Sequence, residues 1–161
     1  MSRAFVKEDD QAGAVPLPDR PISPHRNLVT RRGLRLIEDK IAQYQADLAR
    51  ARAVGDREAI GRASRELRYW TARLESAEVV EPEPGTERVV FGTLVSVVRA
   101  DGTEARFRIV GEDEADPAAG RIAWTAPVAR ALLGSEPGDL RKLPTGEVEI
   151  LSIATAPEPA E

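Results

Sequence analysis

The chain has 161 residues, with 23 lysines and arginines against 27 aspartates and glutamates, a net charge of −4, no cysteine and one histidine. That length allows one or two small domains and no large enzyme core. With no thiol and only His25, thiol chemistry, cysteine-ligated zinc and a histidine relay are excluded. His25 sits in a proline-rich stretch and is expected to be an inert, solvated side chain. No run approaches the about 20 apolar residues of a membrane span. The N-terminus, with Glu8, Asp9 and Asp10, lacks the apolar core of a signal peptide, so a soluble cytoplasmic protein without membrane contact is expected. The charge is divided along the chain: residues 31–78 carry eleven basic and eight acidic side chains, residues 79–161 eight and fifteen. The two parts should therefore face different partner surfaces.

Residues 1–29 contain Pro16, Pro18, Pro21 and Pro24 and few apolar side chains, which predicts a mobile N-terminal arm. Phe5-Val6 and Leu28-Val29 are the pairs in it that could dock locally. Thr30 suits a helix N-cap, although Gly33 stands where a capping box takes Glu or Gln. From there Leu34, Ile37, Ile41, Tyr44, Leu48 and Ala51 step by three and four, and Ile60, Ala63, Leu67, Trp70, Leu74 and Ala77 repeat the pattern. Paired from the inside out, the two series mirror each other about Gly55-Asp56, which is what an antiparallel helical hairpin requires. The first helix is expected over about Arg31 to Val54, closed by Gly55 in the left-handed region. The second is capped by Asp56 and expected to end near Glu78 or Val79. Residues 30–80 thus read as a coiled-coil hairpin. Arg50, Arg52, Arg57, Arg62, Arg65 and Arg68 surround its tip, either as an electropositive sleeve suited to phosphate or as a solvated flank. Tyr44 and Trp70 lie on the seam and read as core.

Residues 81–88, with Glu81-Pro82-Glu83-Pro84-Gly85, form a stiff linker. From Val89 the period becomes strand-like, and residues 89–153 read as a small β domain. Val89 to Val98 is β-rich with Gly92 as a bulge. Asp101-Gly102 makes a hairpin turn, and Ala105, Phe107 and Ile109 alternate with charged neighbours. A polar loop over Gly111 to Pro117 lacks the ligand spacing of a calcium loop. A short strand near Arg121 to Trp124, a helix opened by Pro127 and a hairpin about Thr145-Gly146 complete the domain. Residues 154–161 read as a tail.

The segments Val110-Gly111-Glu112-Asp113-Glu114-Ala115-Asp116-Pro117, Gly120 to Pro127, Ala129 to Gly134 and Gly138-Asp139 closely resemble the C-terminal domain of the GreA/GreB transcription elongation factors. Asn27-Leu28-Val29-Thr30-Arg31-Arg32-Gly33 resembles the family's opening before its coiled coil. The resemblance implies an α+β protein in which an antiparallel helical hairpin is followed by a small FKBP-like antiparallel β domain with one short helix. It implies RNA polymerase as partner, with the β domain docking at the rim of the secondary channel through Thr125, Ala126, Pro127 and Arg130. The hairpin would enter that channel, where acidic tip residues assist cleavage of backtracked RNA. Asp56, with Glu58, is the tip candidate for modulating metal or RNA, and Arg50, Arg52, Arg57 and Arg62 the candidates for RNA or channel contact. No cofactor is expected to bind stably; Mg²⁺ would be held only jointly with the polymerase. The chain would be a monomer acting in trans and not an enzyme.

Three departures from the family pattern stand out. The tip pattern is Gly-Asp, two residues, then Glu-Asn-Ala; here Gly55-Asp56 matches, but Ala59 stands where the Glu belongs and Glu58 comes one position earlier, a rotation of roughly 100° about the helix. The hairpin is about ten residues per arm shorter, or roughly 15 Å less reach. Ala126 replaces a serine. The alternative reading is a regulator that occupies the channel without stimulating cleavage and competes with longer relatives. Readings of another class are a prolyl isomerase, for which Phe107 and Trp124 supply few aromatics, and a general protein-interaction module.

Overall fold

The computed structural model describes residues 16–159, which divide into two compact units. One unit holds the described residues up to Ile22 with Glu38–Ala72; the other holds Ser23–Ile37 with the described residues from Arg73 onward. Residues 1–15 of the expected arm, Phe5-Val6 among them, and residues 160 and 161 of the expected tail lie outside the described residues.

Helix α1 (Arg31–Val54) and helix α2 (Arg57–Ser76) form the helical hairpin. In the first unit the seam buries Leu48, Ala51, Ala63 and Trp70. The turn between the helices satisfies its own backbone. Gly55 sits at φ 68°, in the left-handed region where a Cβ is penalised. Its N–H donates to Arg52 O at 3.2 Å, and the N–H of Asp56 donates to Ala51 O at 3.0 Å. Those two bonds are the Schellman pattern, which satisfies carbonyls that a helix end leaves open. The Asp56 carboxylate then accepts from the N–H of Ala59 at 3.0 Å, capping α2.

α2 stops at Ser76, short of the expected Glu78, because the chain then enters a different pairing. Strand β1 (Leu28–Val29) and strand β2 (Glu78–Val79) run parallel, with Leu28 opposite Glu78 and Val29 opposite Val79. The N–H of Glu78 donates to Asn27 O at 2.9 Å and that of Val80 to Val29 O at 3.0 Å. Leu28 and Val29, placed by composition in the arm, therefore belong to a sheet, and Asn27 before them and Val29 are buried.

The β domain is a five-stranded sheet in the order β5-β4-β3-β7-β6. Its strands are β3 (Leu94–Arg99), β4 (Glu104–Val110), β5 (Arg121–Ala123), β6 (Leu140–Leu143) and β7 (Gly146–Ala154), and helix α3 (Pro127–Leu132) lies between β5 and β6 in sequence. Neighbours are antiparallel except β4 and β5, which are parallel. The expected strand from Val89 begins only at Leu94: residues 91 and 92 form a turn, and the register irregularity lies between Ser96 and Val97. Val95, Val97, Ile109, Ile122, Ala129, Leu132, Val148 and Ile150 build the core. At about 25 cal/mol per Å² of apolar area, such burial is the main favourable term for a domain this small.

In the same unit, the end of α2 is tied down by a buried cation. Arg73, with 2% of its side chain exposed, donates through Nε to Asp113 Oδ2 at 2.5 Å and through Nη2 to Asn27 Oδ1 at 2.7 Å. Asn27 Nδ2 returns a bond to Arg73 O at 2.7 Å. Leu74, counted in the seam by its spacing, is 37% exposed; the helix turns Arg73 to the interior instead. Next along, the 3-10 turn Glu112–Glu114 presents Glu114 to the start of α1. The Thr30 hydroxyl accepts from the N–H of Gly33 at 3.0 Å and donates to Glu114 Oε2 at 2.5 Å. A Cβ on Gly33 would lie 2.7 Å from that same oxygen. The acid missing from the local capping box is thus supplied from residue 114, and Gly33 leaves the room for it.

Replacing Arg73 by Met removes the cation that pairs with half-buried Asp113 and the side-chain donor to buried Asn27. Arg73→Met should lower stability by about 3–5 kcal/mol, read as a lower urea midpoint at unchanged slope.

Candidate functional site

The hairpin tip concentrates the side chains that the sequence singles out. Asp56 is exposed, and while Oδ1 holds the cap on Ala59, Oδ2 has no partner among the described residues. Glu58, its side chain 89% exposed, pairs with Arg62 at 3.4 Å one helical turn on. Ala59 closes the first turn with a methyl group, so Asp56 is the tip's one carboxylate fixed by the fold. Val54, 79% exposed, adds an apolar knob beside it.

The arginines around the tip fall into three groups. Arg50 pairs with Asp47 and Arg62 with Glu58, each on its own helix. Arg65 Nε donates to Pro18 O at 2.8 Å, and Arg68 Nε pairs with Asp19 Oδ1 at 2.7 Å, so a stretch of the N-terminal residues lies against α2. Arg20 completes that strap, pairing with Glu66 at 2.7 Å and covering the Tyr69 ring at 3.7 Å. Arg52 and Arg57 make no ion pair among the described residues. Between the helices, a shallow groove is lined by Tyr44, Arg50, Ala51, Asp56, Ala59 and Arg62, among others. It therefore gathers Asp56 with two of the four arginines expected to contact nucleic acid. Tyr44 is half-buried there, and burial pushes its phenol above the ordinary range, with Glu66 adding to the shift. Trp70 is buried, and no partner for its indole Nε1 is present among the described residues.

In the other unit, Thr125, Ala126, Pro127 and Arg130 form the entry to α3. Pro127 occupies the first helical position, where its missing N–H costs nothing. Ala126 is the N-cap, with extended backbone and no side-chain cap bond. Pro127 and Arg130 are exposed, while Thr125 and Ala126 are half-buried. Beside them the His25 ring meets Trp124 edge-on at 6.0 Å.

The acidic loop is structural throughout. Glu112 accepts from the Ser23 hydroxyl at 2.9 Å, Asp113 takes Arg73, and Glu114 takes Thr30 and Arg32. No cluster of three or more His, Cys, Asp or Glu suited to a metal occurs among the described residues. No described helix is long and apolar enough to cross a membrane.

A capped helical hairpin whose tip offers one fixed carboxylate among arginines, in a chain that also carries a five-stranded sheet with a proline-led helix, makes this an α+β protein of the hairpin-bearing class. The family description "Transcription elongation factor, GreA/GreB, C-term" matches residues 83–155. Transcription elongation factor GreA of Pseudomonas aeruginosa is 33% identical over 144 residues, covering 75% of this chain and 91% of that protein. The chain belongs to the GreA/GreB family of transcription elongation factors. Transcription elongation factor GreB of Neisseria meningitidis is 44% identical over 95 residues, 55% of this chain, and the match spans 58% of that relative's length. The crystal structure of GreA factor homolog 1 of Thermus thermophilus aligns with a TM-score of 0.40 at 19% identity, over 81% of this chain and 99% of that one.

The sequence gives no sign of Arg73, and it marks Asn27 and Glu114 only as members of family-like segments, without their partners. Arginine is exposed by default, and no periodicity marks one that turns inward between Trp70 and Leu74. The gap left by Gly33 in the capping box was the one local hint of Glu114.

The cap and the charge of Asp56 can be separated. Asp56→Ala should cost about 1 kcal/mol through loss of the N-cap, whereas Asp56→Asn should cost only a few tenths, both measured by thermal unfolding.

Proposed function

We propose that this chain binds RNA polymerase and modulates elongation by inserting its hairpin into the secondary channel, with docking through Thr125, Ala126, Pro127 and Arg130. It has no catalytic centre of its own in this reading; the chemistry belongs to the polymerase, and the protein acts as a cytoplasmic monomer in trans. The observation that carries the reading is the tip: the two bonds of the Gly55 turn and the cap on Ala59 hold exposed Asp56 through Oδ1 and leave Oδ2 without a partner among the described residues. In a confined channel such a carboxylate can offer one oxygen to a hydrated Mg²⁺ held mainly by the partner, or position RNA. The donor set fits a shared ligand and not a resident ion, since Asp56 spends Oδ1 on its cap and Glu58 leans to Arg62. Arg52 and Arg57, without ion-pair partners among the described residues, are the side chains best placed to meet phosphate.

The same tip favours a second reading, in which the hairpin occupies the channel without stimulating cleavage and competes with a longer relative. The methyl group of Ala59 is its support, because a second fixed carboxylate is missing from the first turn of α2.

Cleavage of RNA in backtracked complexes separates the two. If the tip assists cleavage, Asp56→Asn lowers the stimulated rate by about tenfold or more while binding is kept. If it only occupies the channel, the wild type binds, adds no cleavage, displaces a longer Gre factor, and Asp56→Asn changes nothing. Arg130→Ala should weaken polymerase binding by about tenfold in either case. Absence of polymerase binding by the wild-type chain removes both readings.

A further inference from the structure

A second group of arginines converges far along the sequence from the tip, within the unit that holds the β-sheet. Arg32 and Arg35 from the start of α1 and Arg108 from β4 line a cavity of about 480 Å³, with Val80, Pro82 and Pro84 among its apolar walls. That volume lies in the range of roughly 300–1,000 Å³ typical of small-molecule sites.

The carboxylates around this cavity are not equivalent. Glu114 is buried and committed to the Thr30 hydroxyl and Arg32. Glu158 belongs to the irregular segment after β7 and reaches in from the expected tail. It accepts from Arg121 Nε on Oε2 at 3.0 Å and on Oε1 at 3.2 Å, and lies 3.9 Å from Arg32 Nε. The Arg121 hydrogen bonds, followed by the charges of Arg121, Arg32 and Arg108, hold its carboxyl below the usual carboxylate range. A third carboxylate of the lining, Glu81, pairs with Arg31 at 2.6 Å, so Arg31, Arg32, Arg35 and Arg108 face three carboxylates and the cations are under-matched by one. Arg108 is half-buried and makes no ion pair among the described residues; its Nη1 donates only to the carbonyls of Gly92 at 3.1 Å and Ala156 at 3.0 Å. Burial pushes its guanidinium below the ordinary value. Arg35 is exposed and likewise makes no ion pair among the described residues.

We infer that this cavity binds a small molecule bearing a polyphosphate group, and that Glu158 is an internal stand-in for that group which the ligand displaces. Guanidinium forks match phosphate oxygens two at a time, and a polyphosphate brings several negative charges where Glu158 brings one. The apolar walls of Val80, Pro82 and Pro84 leave room for a body beyond the phosphates, which a nucleotide would supply. Binding frees the segment after β7, so the ligand is coupled to the placement of the C-terminal residues.

The test is isothermal titration of the full chain with inorganic pyrophosphate and, separately, with ATP. The wild type should bind, Glu158→Gln should bind about fivefold tighter, and Arg108→Gln about fivefold weaker. Arg35→Gln, at an exposed position without an ion pair among the described residues, should also weaken binding and serves as the variant that leaves folding intact. ATP tighter than pyrophosphate supports a nucleotide ligand; equal affinities support recognition of the polyphosphate alone. Failure of both probes to bind the wild type and Glu158→Gln at millimolar concentration overturns the inference. So does equal affinity among the wild type, Glu158→Gln and Arg35→Gln.

Discussion

A guanidinium that is 2% exposed has to be paired, and the pairing of Arg73 sets the arrangement of the residues around it. Its Nε holds Asp113 in the 3-10 turn after β4, its Nη2 holds Asn27 at the entrance of β1, and Asn27 answers on the Arg73 carbonyl. Three segments distant in sequence are joined by one charge. Once Asp113 is held, its neighbour Glu114 is carried to Thr30 and the first turn of α1, where Gly33 admits it. The parallel pairing of β1 with β2 lies alongside, since residue 27 precedes one strand and residue 76 closes the helix before the other. Packing brings apolar area out of water, but it is the demand of a desolvated cation for partners that singles out this register.

The tip is governed by a different constraint, the backbone groups that helix ends leave open. Gly55 and Asp56 satisfy them within a few residues: two bonds close α1 and one opens α2. Capping also orients the carboxylate. A flexible acid would lose entropy on engaging a partner, whereas Asp56 is already ordered by its bond to Ala59. In this way a structural role and the proposed polymerase contact can coexist on one side chain, with Oδ1 serving the first and Oδ2 available to the second.

Arginine recurs in three settings with distinct consequences. At Arg73 it is buried and fully engaged, at Arg52 and Arg57 it is exposed and without an ion pair among the described residues, and around the cavity of Arg108 it meets a carboxylate delivered by the chain's own C-terminal segment. Exposed pairs such as Arg62 with Glu58 contribute little to stability because water screens them, and they are correspondingly cheap to exchange for a partner's charges. The buried pair cannot be exchanged in that way.

The two helices, their capped turn and the Asp101-Gly102 hairpin were legible in the residues because each depends on spacing within one or two turns of chain. α1 spans Arg31–Val54 as its period and caps indicate, and the alternation ending at Ile109 marks β4. The family resemblance located the tip and the entry to α3 as candidate contacts, with Asp56 the most defined of them. Other features were settled only when distant segments met: the early end of α2 at Ser76, β1 against β2, the parallel β4–β5 pair, and the exchange of Leu74 for Arg73 on the inner face. Glu114 and Glu158 belong with these, since nothing near either residue announces its partner. Local hydrogen bonding and hydrophobic period are written in neighbouring residues, whereas the partners of a buried charge are chosen by the fold that desolvates it.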